Sequence, residues 1–263
     1  MGLYSLRDLE LSGVKWELSE TPAAMGRPKK PAVAAAPTES AVRSASPTAA
    51  ATGVMAPPVA VIPAARPVTL SCADDAARGA CDLPALRDAI VKFEHPLKQF
   101  VKNTVAPHFA DGDLLIITDA PSGDDDDSGQ ILTGAAGGLM DKMLAAIGMS
   151  RAQVSIVPLV FWRTPGGRAP SREELDLARP FVDRAAALLK PKAILTLGIL
   201  TAAEVANAKL PKDHGNRFET AGGIPVFPIY HPNYLMLKPD VKKDVWSALQ
   251  ELQKLLKNPQ ESL

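Results

Sequence analysis

The chain has 263 residues, 46% apolar and 22% charged, with 29 basic and 29 acidic side chains. That balance suits one large globular domain or two small ones, and zero net charge leaves no global field drawing it towards nucleic acid or anionic lipid. No run of about 18 apolar residues exists to span a membrane, and two cysteines, Cys72 and Cys81, cannot build a disulfide framework, so a reducing cytoplasm is expected.

Residues 1–20 contain "LYSLRDLELSGVKWELSE", in which Leu3, Leu6, Leu9, Val14, Trp16 and Leu18 stand out. This segment reads either as a short helix packing back on the domain or as a tethered docking peptide for a protein partner, through residues 3–18. The N-terminal stretch shows no charged, apolar and small-residue succession, so a signal peptide is not expected. Residues 21–68 are rich in proline and alanine with almost no large apolar side chain, so ordering entropy goes uncompensated and a disordered linker is expected. Its "GRPKKP" is open to two readings, a solvated basic cluster or a minor-groove Gly-Arg-Pro element.

From residue 69 to 263 the pattern is that of a folded domain. Leu83 to Val105 has helical spacing. Leu114 to Thr118 reads as a strand, and Ala135 to Ile147 as a helix with Leu139, Met143, Leu144 and Ile147 on one side. Val154 to Val160 is a second strand. Ser171 and Glu174 form a capping box opening a helix through Leu189. Ala193 to Leu197 is a third strand, followed by a helix from Thr201. Ile224 to Ile229 is a fourth strand, and Val241 to Leu256 a final amphipathic helix. Alternating strands and helices predict a three-layer α/β/α fold around a mostly parallel four-stranded sheet.

Ligands in such sheets bind beyond the carboxyl ends of the strands. Four polar stretches fall there: "TDAPSG" (118–123), "FWRTPGGRAP" (161–170), "LG" (197–198) and "YHPNY" (230–234). The aspartates at 124–127 follow the first of them. A bare acidic run lacks the alternating oxygen ligands and sharp glycine turn of a calcium loop, so a solvated loop is the favoured reading, beside a metal site or a partner-facing acidic patch. His95, His108 and His214 read as surface or packing residues.

The succession "DAPSG", "GQILTGAAGGLMDKMLAAIG", "VFWRTPGGRAPSREELDLARPFV", "KPKAILTLG" and "IYHPNYLMLKP" resembles the uracil-DNA glycosylase superfamily, in its iron–sulfur (family four) type of bacteria and archaea. The resemblance covers 78–256 with every block in order. It implies a turn whose carboxylate is Asp119, followed by Ala120 and Pro121, and a histidine loop starting at His231. It also implies departures. Leu132 stands where a stacking Phe is expected, Pro158 where an Asn reads the base edge, and Asn233 where a Ser follows His-Pro. The four cluster cysteines fall on Arg78, Cys81, Trp162 and Ala178, so no iron–sulfur cofactor and no other metal is expected, with Trp162 filling the space. Arg163 and Arg168, in a Pro/Gly-rich loop, read either as ordinary loop charges or as phosphate contacts. Tyr234, Leu235 and Lys238 follow the histidine, in the loop that wedges into the duplex in such enzymes.

The resemblance therefore implies a monofunctional glycosylase of base-excision repair with altered or weak base specificity, working through Asp119 and His231. The alternative is a catalytically degenerate member that binds DNA or a repair or replication protein. A monomer in the cytoplasm, associated with the nucleoid, is expected in either case. A dinucleotide-binding reading fails because no Gly-x-Gly-x-x-Gly follows the first strand.

Overall fold

The computed structural model describes residues 69–257. The N-terminal segment and the proline-rich stretch lie outside the described residues. Thr69 and Asp82 cap helices α1 (Leu70–Gly79) and α2 (Leu83–Lys92) through their side chains. The sequence reading carried α2 on to Val105, but Pro96 lacks the amide a continuing helix needs, and a 3-10 turn over Pro96–Phe100 takes its place. Helix α1 buries only Ala73 and Ala77, too small an apolar stripe to mark a helix in the sequence.

Five strands follow: β1 (Leu114–Thr118), β2 (Val154–Pro158), β3 (Ala193–Leu197), β4 (Phe218–Glu219) and β5 (Pro225–Ile229). They form one sheet in the order β2-β1-β3-β5-β4, parallel except for β4. The fifth strand corrects the expected count. β4 is a two-residue edge piece pairing with Pro225 and Val226, too short to leave a period in the sequence.

Between them run α3 (Gly123–Ser128), α4 (Gly134–Ala146), α5 (Arg172–Leu189), α6 (Ile199–Ala206), α7 (Pro232–Leu237) and α8 (Lys242–Lys257). The capping box at the start of α5 forms as read, with Glu174 N–H on the Ser171 hydroxyl and the Glu174 carboxylate on the Ser171 N–H. Alternate residues of each strand feed two cores. Leu114, Ile116, Val154, Ile156, Leu195 and Ile229 meet α4 and α8, while Leu115, Ile117, Val157 and Ile194 meet α1, α2 and α5. The strands read as continuous apolar runs because both faces are covered.

The second core is held by an aromatic cluster. Trp162 is wholly buried and stacks on His95 at 4.3 Å with 6° between the rings, and Phe93 meets Phe181 edge-on at 5.0 Å. Leu97 N–H donates to His95 Nδ1 at 3.2 Å, so Nε2 carries the proton and donates to the Glu174 carbonyl at 3.1 Å. Burial holds the His95 pKa below its ordinary value, with Glu174 opposing the shift.

This histidine couples folding to pH. Its folded-state pKa lies below the unfolded one, so its contribution is complete above pH about 6.5 and declines as pH falls below it. Burial pushes His214 and His231 the same way. The urea midpoint is expected to drop between pH 7 and pH 5, and His95→Gln should flatten part of that slope; an unchanged slope would remove His95 from the account.

Candidate active site

Parallel pairing brings the carboxyl ends of four strands to one rim. Thr118 lies beside Pro158, Ile117 beside Thr196, and Leu197 beside Ile229. The loops leaving this rim enclose a cleft of about 830 Å³. Asp119, Ala120, Pro121, Leu132, Asn233, Arg163, Arg168 and Tyr234 all lie on its wall with His231.

At its centre the Asp119 carboxylate and His231 Nε2 stand 3.8 Å apart. Gly198 borders the pair with φ +103°, a backbone conformation that favours glycine, and a Cβ there would lie in ordinary contact with His231 Cβ at 3.6 Å and Asp119 Oδ2 at 3.8 Å. His231 caps α7, and its Nδ1 accepts the Asn233 N–H at 3.2 Å. A neutral His231 must then carry its proton on Nε2, facing Asp119 and the cleft. Enclosure raises the Asp119 pKa, with the His231 charge opposing it, while burial lowers that of His231, with Asp119 opposing. Both shifts favour the neutral members of the pair, as expected for polar groups between low-dielectric walls.

The acidic run is not the solvated loop that its composition suggested. Ser122 caps α3, and Asp125 and Asp126 are only 4% and 5% exposed. The Asp125 carboxylate accepts Ser122 N–H at 2.9 Å, Thr133 N–H at 2.6 Å and the Thr133 hydroxyl at 2.6 Å. It thus ties the end of the Asp119 turn to the loop carrying Leu132. Asp126 accepts the amides of Lys102 and Asn103, each at 3.0 Å. Asp124 and Asp127 face solvent. The run looked solvated because composition alone cannot reveal which carboxylates turn inward to orphan amides.

Leu132 adopts φ +55°, a conformation costing a non-glycine residue about 1–3 kcal/mol. Arg151, absent from the sequence reading, holds that bend by donating to the carbonyls of Ile131 at 3.1 Å and Leu132 at 2.8 Å. Gly137 is needed on the other side, since a Cβ there would meet the Leu132 carbonyl oxygen at 2.0 Å.

Other expected site residues fall elsewhere. Pro158 is buried at the end of β2 and is not on the cleft wall. Leu235 is 1% exposed, whereas Leu237 is 81% exposed. The cause is helical spacing, since Pro232 and Leu235 share the inward face of α7 and turn Tyr234, Met236 and Leu237 outward. The apolar tip of this loop is therefore Leu237, joined across the rim by Ile199 at 67% exposure. Lys238 does not line the cleft; its ammonium lies 5.7 Å from the Tyr234 ring centroid. Arg168 is engaged by both Glu174 carboxylate oxygens, at 2.5 and 2.8 Å.

The positions aligned with cluster cysteines do not suit iron. Arg78 and Cys81 are exposed, while Trp162 and Ala178 are wholly buried in the second core. A single thiol stands where four thiolates are required. Among the described residues no group of three or more His, Cys, Asp or Glu side chains is disposed around a common metal position, and no helix is long and apolar enough to cross a membrane.

Residues 107–253 match the uracil DNA glycosylase superfamily. The chain is 32% identical over 126 residues to the type-4 uracil-DNA glycosylase of Pyrobaculum aerophilum, covering 46% of this chain and 63% of the relative. It is 28% identical over 175 residues to that of Sulfurisphaera tokodaii, covering 62% and 79%. The corresponding protein of Archaeoglobus fulgidus is 27% identical over 160 residues, covering 57% and 80%. The match to the first relative thus spans less than two thirds of its length.

The network around Asp125 yields a stability contrast. Asp125→Ala leaves the Ser122 and Thr133 amides without their acceptor and should cost about 1–3 kcal/mol in urea unfolding. Asp127→Ala removes only an exposed contact with Lys102 and should leave the midpoint close to wild type. Equal effects would contradict the assignment.

Proposed function

The chain belongs to the uracil-DNA glycosylase superfamily, and on that premise we propose that it hydrolyses the N-glycosidic bond of a base in DNA, in base-excision repair, with altered or weak base specificity. The observation that carries this is the juxtaposition of Asp119 and His231, 3.8 Å apart, within a cleft large enough for a nucleotide.

Breaking the bond leaves its electron pair on the base and positive charge on the sugar. The Asp119 carboxylate supports the sugar cation and accepts a proton from the water that adds to it. The Nε2–H of neutral His231 donates a hydrogen bond to the departing base, taking up its charge without a full proton transfer. The target nucleotide has to leave the stack to reach either group.

Two residues support the reading of weak or altered specificity. Leu132, on the cleft wall, offers dispersion but no ring face, and Pro158, buried behind that wall, brings no side-chain amide to it. The same two positions favour a second reading, a degenerate member that binds DNA or a repair partner without cutting. The two separate on a panel of single- and double-stranded oligonucleotides carrying uracil and other damaged bases, scored for abasic sites. Glycosylase chemistry predicts abasic sites on at least one substrate and a loss of about 10²–10⁴-fold in Asp119→Asn. The acid limb should lie at higher pH than an exposed aspartate would give, because protonating Asp119 removes the carboxylate. Binding without any abasic product would instead favour the degenerate reading.

The chain is further proposed to work without an iron–sulfur cluster. Anaerobically purified protein should be colourless, with iron and sulfide far below stoichiometric amounts. Four iron atoms per chain would overturn this.

A further inference from the structure

Nine arginines lie among the described residues, and eight have a hydrogen-bond or ion-pair partner: Arg87 on a backbone carbonyl, Arg184 on another, and the rest on carboxylates. Arg163 is the exception. Its field reaches Lys102 and Asp127, but no carboxylate comes within ion-pair distance. It is half-buried on the wall of the same cleft as Asp119, with its guanidinium nitrogens 3.6 and 4.0 Å from where a Cβ on Gly123 would stand. A guanidinium in that position has five donors and no acceptor to receive them.

The charge around it defines what it meets. The cleft wall carries the carboxylates of Asp119, Asp124 and Asp125, and its other guanidinium, Arg168, is neutralised by Glu174. A polyanion entering this cleft is repelled unless one cation remains to receive it. We infer that Arg163 holds a phosphate of the strand bearing the reacting nucleotide, with the planar fork of the guanidinium fixing the backbone so that the sugar lies against Asp119. The acidic run makes this feasible because Asp125 and Asp126 are turned onto backbone amides instead of onto Arg163. Arg163 is therefore a binding and positioning residue, and this assignment rests on the DNA reading given above.

The test uses the full chain and a duplex containing a tetrahydrofuran abasic-site analogue, with binding measured from low to moderate salt. Arg163→Gln should weaken binding about tenfold or more and reduce the slope of log affinity against log salt by about one. Arg163→Lys should retain the slope but not the full affinity. Arg78→Gln, an equal charge change at an exposed site outside the cleft, should leave both unchanged. Methylphosphonates placed one at a time at the three phosphates flanking the analogue should reproduce the loss at one position and abolish the difference between wild type and Arg163→Gln there. If Arg163→Gln keeps the wild-type slope, the phosphate assignment is overturned, and a changed preference among bases would mean that the guanidinium reads a base edge. A wild-type chain that binds no DNA would overturn both this inference and the DNA reading; a binding wild type with a silent Arg163→Gln overturns this inference alone.

Discussion

The rim of this protein depends on one buried carboxylate. Asp125 receives three donors from two segments, Ser122 at the end of the Asp119 turn and Thr133 at the start of α4. Those donors are amides and a hydroxyl that turns and helix starts leave without intrahelical partners. Satisfying them with one charged acceptor fixes the spacing between Asp119 and Leu132, and so the width of the cleft. Arg151 extends this network from below by holding the strained Leu132 bend through two carbonyls. The site is therefore shaped by hydrogen bonds to backbone, which tolerate little displacement, and not by loop packing.

The same economy of charge governs the cleft. An acidic run beside the cleft would repel an entering polyanion if all of its carboxylates faced outward. Two of the four are instead consumed by backbone amides, and Asp127 pairs with Lys102. Arg168 is neutralised by Glu174, which also caps α5. These pairings leave Arg163 without a carboxylate partner, while Asp119 and His231 face each other at 3.8 Å within the cleft. Gly198 completes the arrangement by taking the φ of +103° with which β3 turns into α6 beside the pair.

On the far side of the sheet the aromatic cluster supplies rigidity by other means. Trp162 and Ala178 are both wholly buried in the core that holds Phe93, His95 and Phe181. Stacked rings and a fully hydrogen-bonded neutral histidine pin the loop after β2 to α5. Because Arg163 directly follows Trp162, this core also sets the position of the cleft's free guanidinium.

The sequence by itself determined the alternation of strands and helices, the Ser171 cap and the convergence of Asp119 and His231 on one rim. Apolar runs, capping boxes and strand ends are local patterns, and parallel pairing makes the last of these additive. It could not determine which member of a short polar or apolar run faces inward. Asp125 and Asp127 have the same side chain and differ only in whether unsatisfied amides lie within reach. Leu235 and Leu237 differ only in which side of a single helical turn meets the core. β4 and the reach of Pro158 depend likewise on partners distant in the chain. Tertiary structure decided these because burial and hydrogen-bond satisfaction are properties of pairs of segments, and a single segment does not encode its partner.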